Sequence, residues 1–311
     1  MKKALLTGAS GFVGRYFCQY LKQEGWEVHA NDIVKETHNY WDKYYETDCR
    51  KLFTIIKPKF DLIIHCAAVV GGRLNLEKNQ IAVASDLSID AEFFNWVKSC
   101  PKHTRIVYFS SSAAYPIHLQ ESVYKLKEVD IDLYDIRQPD MTYGWVKLTG
   151  EMVAHRLHIE YDKKVTVLRP FSGYGLMQDL TYPFPSIIKR VVEKQHPIEI
   201  WGNGNQVRDF IHISDIVNAT MILSEERTKA NAINLCTGIP TSFIELATMA
   251  HEQMWGQTPY IKTDTTKPTG PAYRCGDETE LLKYYLPTIT LEQGINIKLN
   301  ESKSISLHST L

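Results

Sequence analysis

The sequence predicts an α/β protein, a doubly wound parallel sheet with a smaller C-terminal α/β lobe. Three observations predict it. Short apolar runs alternate with helix-length segments through the first half of the 311-residue chain. The stretch TGASGFVG, Thr7 to Gly14, sets Gly8, Gly11 and Gly14 directly after the apolar run Ala4-Leu5-Leu6. After Arg169-Pro170 the texture changes: prolines gather at Pro183, Pro185 and Pro197, and short strands mix with short helices. Strands separated by helices imply right-handed crossovers and a parallel sheet.

In order, Ala4 to Thr7 read as a strand, and the glycine turn opens a helix that runs to about Lys22 and stops at Gly25. WEVHA, Trp26 to Ala30, is a second strand ending at Asn31-Asp32. Tyr44 to Thr47 form a weak third strand, with a helix after Asp48. DLIIHC, Asp61 to Cys66, suits a strand buried on both faces. One long helix is expected over about Leu76 to Lys98, then the strand RIVYF, Arg105 to Phe109, running into Ser110-Ser111-Ser112. A helix from about Thr142 to Tyr161 precedes the strand Val165 to Leu168. The first domain is placed at 1–170, with segments near 207–237 returning to it, and the second lobe at 171–311. The last dozen residues read as a polar tail.

Composition narrows the function. Apolar residues make up 44% and charged residues 23%, as in ordinary globular proteins, and 35 basic against 36 acidic residues leave a net charge of −1. No basic stretch points to nucleic acid. No apolar run approaches the ~18 residues that span a bilayer. MKKALLTG is not expected to be a secretory signal, because it runs straight into the glycine turn. The six cysteines and eleven histidines are scattered without metal spacing. No metal site is expected, and the thiols read as reduced, in a cytoplasmic protein.

A glycine-rich turn between a strand and a helix exposes backbone N–H groups to a pyrophosphate, and the helix dipole favours the negative charge. A plain βα turn would carry the same glycines. Asp32 favours the cofactor reading: it ends the second strand, eighteen residues after Gly14, where a carboxylate accepts hydrogen bonds from ribose hydroxyls. The same carboxylate repels a 2′-phosphate, which favours NAD over NADP. Lys35 nearby is the counter-signal, and a solvated loop lysine is its simpler reading. The balance favours a Rossmann-like nucleotide cradle over a plain turn.

YGWVK supplies a second signal. On a helix Tyr143 and Lys147 share one face. Tyrosine ordinarily titrates near pH 10, and bringing it to about 7 requires roughly 4 kcal/mol. One ammonium about 4 Å away contributes on the order of 4 kcal/mol at an effective dielectric near 20. Ser110-Ser111-Ser112 lies at the carboxyl end of a parallel strand, where such sheets bind ligands. A polar strand-end turn is the alternative there.

Together these features resemble the extended short-chain dehydrogenase/reductases, the NAD-dependent epimerase/dehydratase family, over nearly the whole chain. The matching pieces are TGASGFVG, Asp32, Asp48, His65-Cys66-Ala67-Ala68, the serine run, YGWVK and Leu168-Arg169-Pro170-Phe171-Ser172-Gly173-Tyr174-Gly175. WGNGNQVRDFIHISD, Trp201 to Asp215, and Asn234-Leu235-Cys236-Thr237-Gly238 complete the set. The resemblance implies NAD in the first lobe and a nucleotide sugar in the second. It implies that Tyr143 takes a proton from a sugar hydroxyl, usually at C4, that Lys147 holds the nicotinamide ribose, and that Ser111 bonds the same hydroxyl. It places Gly8, Gly11, Phe12, Val13, Gly14, Asp32, Ile33, Ala67, Ala68 and Pro170 around the cofactor, with Asp48 and Cys49 at the adenine edge. On the substrate side it places Ser112, Ser172 and Trp201, and it gives Arg208 and Arg274 the diphosphate, a task for which guanidinium is suited. The alternatives are surface salt bridges for the arginines and a core position for Trp201. A homodimer through the Tyr143 helix and the long helix before Cys100 is likewise implied.

Departures from the family bear on the reaction. The 4,6-dehydratases carry an Asp-Glu pair where this chain has Ser112 and Ala113. GDP-fucose synthase and GDP-mannose 3,5-epimerase carry a cysteine at Ala113, and the second acid of the synthase, a histidine, falls at Tyr182. What remains is C4 oxidation, as a 4-epimerase or a 4-dehydrogenase, with a 4-keto reductase as the reverse. Ala67 to Gly72, Ala114-Tyr115-Pro116 and Trp201-Gly202 look most like GDP-sugar members, which points to a GDP-hexose or GDP-heptose. Ser172 replaces the familiar Asn of R-P-F-N. The charged stretch between Ser112 and Tyr143 is either a substrate rim or a plain loop. The rival readings are a dehydratase-like enzyme drawing its acid and base from Tyr182 or from 117–140, and a non-catalytic NAD-binding scaffold.

Overall fold

A computed structural model describes residues 1–35 and 38–308, with backbone alone at 303–308. β1 (Lys3–Thr7) leads through the glycine turn into α1 (Phe12–Gln23), which buries Phe17, Cys18 and Leu21. β2 (Glu27–Asp32) and β3 (Lys43–Glu46) follow, then α2 (Cys49–Ile55), capped by Asp48, and β4 (Leu62–His65), buried along its whole length. The long helix expected next is instead three: α3 (Arg73–Lys78), α4 (Gln80–Ala84) and α5 (Asp86–Val97). The breaks fall where short polar side chains fold back on the preceding turn. Asn79 Nδ2 donates to the Asn75 carbonyl at 3.0 Å and Ser85 Oγ to the Ala82 carbonyl at 2.5 Å, bonds that compete with the helical ladder.

β5 (Arg105–Phe109), the short β6 (Lys125–Leu126), α6 (Met141–Tyr161) and β7 (Lys164–Pro170) continue the chain. The remainder runs β8 (Ser172–Tyr174), α7 (Pro183–Val192), β9 (Ile198–Trp201), β10 (Val207–His212), α8 (Ile213–Glu226) and β11 (Ile233–Leu235). It ends with β12 (Pro240–Ser242), α9 (Phe243–Trp255), β13 (Ile261–Asp264), β14 (Tyr273–Gly276) and α10 (Leu291–His308).

Seven parallel strands make the main sheet, in the order β11-β7-β5-β4-β1-β2-β3. The chain winds outward from β1 to β3, then crosses back to β4. The winding direction therefore reverses between β1 and β4, and ligands of such sheets bind at the carboxyl ends of the strands at that point. One face of the sheet buries Phe17, Leu21, Val28, Ile216 and Leu223 with α1 and α8. The other buries Leu52, Phe53, Phe93, Val97 and Leu157 with α2, α5 and α6. Within 207–237, β11 lies beside β7 and α8 packs on the main sheet, whereas β10 runs in the second sheet.

That second sheet has the order β12-β10-β14-β6, with β8 beside β10; only the β10–β12 pair is antiparallel. A separate apolar core, including Tyr174, Phe184, Ile188, Ile200 and Leu246, supports it. The C-terminal stretch read as a polar tail is helical through His308, and Ser309 to Leu311 lie outside the described residues. Ile295 and Leu299 are buried in the second core and carry the helix onward.

Candidate active site

The glycines of the first turn have separate physical jobs. Gly8 has φ +68°, and a Cβ there would come 2.6 Å from the backbone of Cys66. A Cβ on Gly14 would meet the Gly8 carbonyl at 2.2 Å, so this glycine lets α1 close onto the turn. Gly11 is the N-cap of α1 and offers no side-chain cap, which leaves the Phe12 and Val13 end of the helix as a set of outward N–H groups. Asp32, at the carboxyl end of β2, faces this turn: its carboxylate accepts from Ser10 N at 2.9 Å and Ile33 N at 2.7 Å. The Ile33 side chain is exposed, as is Lys35.

Asp48 caps α2 and is held by Arg50, with Nη2 2.6 Å from Oδ2. The Arg50 hydrogen bond outweighs partial burial and lowers its pKa. The Cys49 side chain points into the core beside Leu5 and Leu52, and burial pushes its thiol up to about 12. Ala67 and Ala68 follow β4 at the switch point, where Ala67 N donates to Thr7 Oγ1 at 3.3 Å.

The serine turn follows β5. Ser111 caps a short 3-10 turn, its Oγ accepting from Ala113 N at 3.1 Å, while Ser112 and Ala113 are buried. α6 lies directly on this turn, because a Cβ on Gly144 would stand 2.3 Å from the Ala113 carbonyl. Tyr143 and Lys147 share the face of α6 toward the crevice, with Lys147 Nζ 5.8 Å from the centre of the Tyr143 ring and 5.3 Å from that of Tyr108. Lys147 is buried, and among the described residues it has no salt bridge. Burial alone would lower its pKa, but Asp90, Tyr143, Asp86 and Cys66 together raise it, so the ammonium stays charged.

The second lobe delivers two arginines in register: Arg208 on β10 pairs with Arg274 on β14. Arg208 is buried and, among the described residues, its guanidinium donates only to carbonyls, those of Val207 at 2.7 Å, Pro271 at 2.9 Å and Thr269 at 3.3 Å. Burial, then Arg274 and Arg73, pull its pKa down to about 9, a sign of positive charge the protein alone compensates poorly. Arg274 Nη2 donates to Asp140 Oδ2 at 2.6 Å. Trp201 ends β9, and its backbone carbonyl is tied to Gln206 at 3.0 Å. Ser172 sits half-buried in β8 beside Phe210, and Pro170 closes β7.

A family model matches residues 4–236, and its description is the NAD dependent epimerase/dehydratase family. The chain belongs to this family. NAD is accordingly its cofactor, and the residues of this epimerase/dehydratase-family protein fit it: an uncapped glycine-helix end, Asp32 and a buried ammonium at the same strand ends. Among curated relatives, a dTDP-4-dehydro-6-deoxy-D-allose reductase of Streptomyces bikiniensis is 28% identical over 300 residues, 90% of this chain and 89% of the relative. A putative GDP-L-fucose synthase 2 of Arabidopsis thaliana is 22% identical, over 94% of this chain and 89% of the relative. Among solved structures, the UDP-glucose 4-epimerase of Thermotoga maritima, with UDP-glucose, superimposes with a TM-score of 0.81 at 22% identity, covering 98% and 99% of the two chains. The UDP-glucuronic acid 4-epimerase of Bacillus cereus, with UDP-glucuronic acid and NAD, gives 0.79 at 24% identity, covering 97% and 99%. At these identities the two structures establish a shared fold.

Several residues of the site escape sequence reasoning. Arg73 donates from Nη1 to both oxygens of Asp140, at 2.8 and 2.9 Å, and its Nε meets Glu77 at 2.5 Å. Beneath Lys147 lies a buried polar cluster. Thr7 Oγ1 is 2.7 Å from His65 Nδ1, His65 Nε2 is 3.4 Å from Asp90 Oδ1, and Tyr108 donates to Asp90 at 2.5 Å. Asp86 accepts from Val69 N at 2.7 Å, and burial pushes its pKa up to about 6. In the sequence His65 stands in a motif to which no role is assigned, and the only local signal for Asp140 is its place three residues before Tyr143. Among the described residues no helix is long and apolar enough to cross a membrane, and no group of three or more potential ligands is placed to hold a metal ion.

Proposed function

We propose that this protein modifies a nucleoside-diphosphate sugar by NAD-dependent oxidation at C4, as a 4-epimerase or a 4-dehydrogenase. The observation that carries the reading is the shared face of Tyr143 and Lys147 against the Ser111 turn, together with buried Ser112 and Ala113 where related dehydratases hold an acid and a base. NAD supplies the hydride acceptor. Tyr143 takes the C4 hydroxyl proton, Ser111 bonds the same oxygen and sets its direction, and the Lys147 ammonium holds the nicotinamide ribose. Arg208 and Arg274 hold the diphosphate. For the nucleobase we read guanine, in a GDP-hexose or GDP-heptose, on the likeness of Ala67 to Gly72 and Trp201-Gly202 to GDP-sugar members. A second reading, a 4-keto reductase, is favoured by the name of the Streptomyces relative.

The test offers GDP-, dTDP- and UDP-sugars carrying deuterium at C4 to the NAD-loaded protein. A 4-epimerase retains deuterium at C4 of an inverted product. A dehydrogenase passes it to NAD, giving deuterated NADH, and a reductase turns over only unlabelled 4-keto sugars offered with NADH. Tyr143→Phe should retain NAD and lose turnover. No turnover of any of these sugars in either direction would falsify the reading. We also read the protein as a homodimer, because α6 leaves Trp145, Met152 and Val153 exposed and α5 leaves Leu87 exposed. A monomeric mass by light scattering would remove that reading.

A further inference from the structure

Two guanidinium groups meet on one buried carboxylate, and a third lies beside them. Arg73 comes from α3, Arg274 from β14, and Arg208 lies in register beside Arg274. A Cβ on Gly270 would lie 3.2 Å from Arg208 Nη2 and 3.5 Å from Arg73 Cδ, so these two side chains share one small volume. Asp140 accepts two bonds from Arg73 and one from Arg274, and among the described residues it is the only carboxylate that bridges two arginines. Glu77 binds the far edge of Arg73, so three cations face two anions and one positive charge is left over.

Asp140 is also built into the catalytic helix. Its N–H donates to the Ala113 carbonyl at 3.0 Å, and its carbonyl accepts from Gly144 N at 2.9 Å. The next residue, Met141, opens α6 with φ 57°, a left-handed conformation that a methionine rarely adopts. Two residues later comes Tyr143. The serine turn, the start of α6 and the arginine cluster therefore meet at one side chain.

We propose that Asp140 is a positioning residue whose carboxylate holds Arg73 and Arg274 in the place of an anionic ligand, yields Arg274 to a diphosphate, and transmits that exchange to the first turn of α6. Its bearing on Tyr143 chemistry rests on the reading proposed above; the exchange itself does not. A carboxylate and a phosphate compete for the same guanidinium edge, and loss of the carboxylate leaves that edge to the phosphate. The competing charge belongs to the helix that carries Tyr143, so an arriving diphosphate alters the support of that turn.

The test uses inorganic pyrophosphate with the NAD-loaded protein, by calorimetry and by backbone hydrogen exchange. Asp140→Asn is expected to bind pyrophosphate at least tenfold more tightly than wild type, and Asp140→Glu to restore wild-type affinity. Pyrophosphate is expected to change exchange at residues 141–145 of wild type and to leave Asp140→Asn unchanged there. Equal or weaker binding by Asp140→Asn, or unchanged exchange in wild type, overturns the proposal. Should Asp140→Asn not fold, Arg73→Gln decides: weaker pyrophosphate binding supports the exchange, and unchanged binding overturns it. If pyrophosphate behaves as expected while GDP, dTDP and UDP do not bind, the nucleotide-sugar reading fails and the exchange stands.

Discussion

Replacing Asp86 by asparagine isolates one buried carboxylate beneath Lys147. Asp86 opens α5 with no exposed surface, and among the described residues its Oδ2 has no hydrogen-bond partner. Burial is the main cause that lifts its pKa from 3.8 to about 6; the Val69 N–H and Lys147 oppose it, and Asp90 adds to it. Because the folded pKa lies above the unfolded one, the contribution is intact below about pH 4. It is lost as pH rises, since the unfolded chain sheds a proton that the folded form keeps. At about 1.4 kcal/mol per pH unit, this removes about 3 kcal/mol by pH 7. Asparagine does not titrate. Its amide changes the baseline by an amount that pH does not move, and most other carboxylates titrate alike in both proteins. Urea unfolding from about pH 4 to about pH 7 should therefore show Asp86→Asn gaining about 3 kcal/mol on wild type as pH rises. A difference that stays flat across this window would refute the assignment of a raised pKa to Asp86.

The other perturbations test the cradle, the clamp and the frame. Asp32→Ala removes a charged acceptor worth roughly 1.5–3 kcal/mol, so NAD should bind about ten- to a hundredfold more weakly and discrimination against NADP should shrink. Unchanged NAD affinity by calorimetry, with an unchanged melting temperature, would remove Asp32 from the ribose site. Arg208→Gln should raise KM for the sugar nucleotide roughly tenfold or more with a smaller change in kcat, because it removes binding present throughout the reaction; a KM equal to wild type contradicts the clamp. Glu151→Gln strips the charge from the partner of Arg169, whose Nη2 lies 2.7 Å from Oε2 with both side chains buried. Ser110 Oγ donates to the same Glu151 carboxylate, so the change should cost about 3–5 kcal/mol in urea unfolding, and a loss below ~1 kcal/mol would refute the role of this pair in holding the serine turn.

Much of the first lobe was legible because its determinants are local. The runs around Leu5, Ile63 and Val107 are uniformly apolar, as strands buried on both faces must be. The helix of Tyr143 was placed within a residue of its start. The errors are local as well. Asn79 and Ser85 carry no glycine or proline signal, yet their side chains divide one expected helix into three. The C-terminal helix shows the opposite failure: a polar stretch is held helical because Ile295 and Leu299 find a distant core.

The candidate site divides along the same line. Tyr143 and Lys147 could be paired from sequence, since four residues along a helix fix a common face. The partners of Asp140 could not, because Arg73 lies 67 positions before it and Arg274 lies 134 after it. Nothing local distinguishes those arginines from surface charges. Only the parallel register of β10 with β14 and the start of α3 at Arg73 bring them to one carboxylate. A motif is visible when chemistry needs neighbouring residues on one element. A charge cluster assembled by tertiary structure stays hidden until the topology is known, and here it lies between two lobes' worth of sequence. The residues expected to set the hydride chemistry are thus local, while those expected to meet the diphosphate depend on how the second sheet is threaded. This division makes Asp140 informative: it is local to Tyr143 in sequence and joined to the arginines only by the fold.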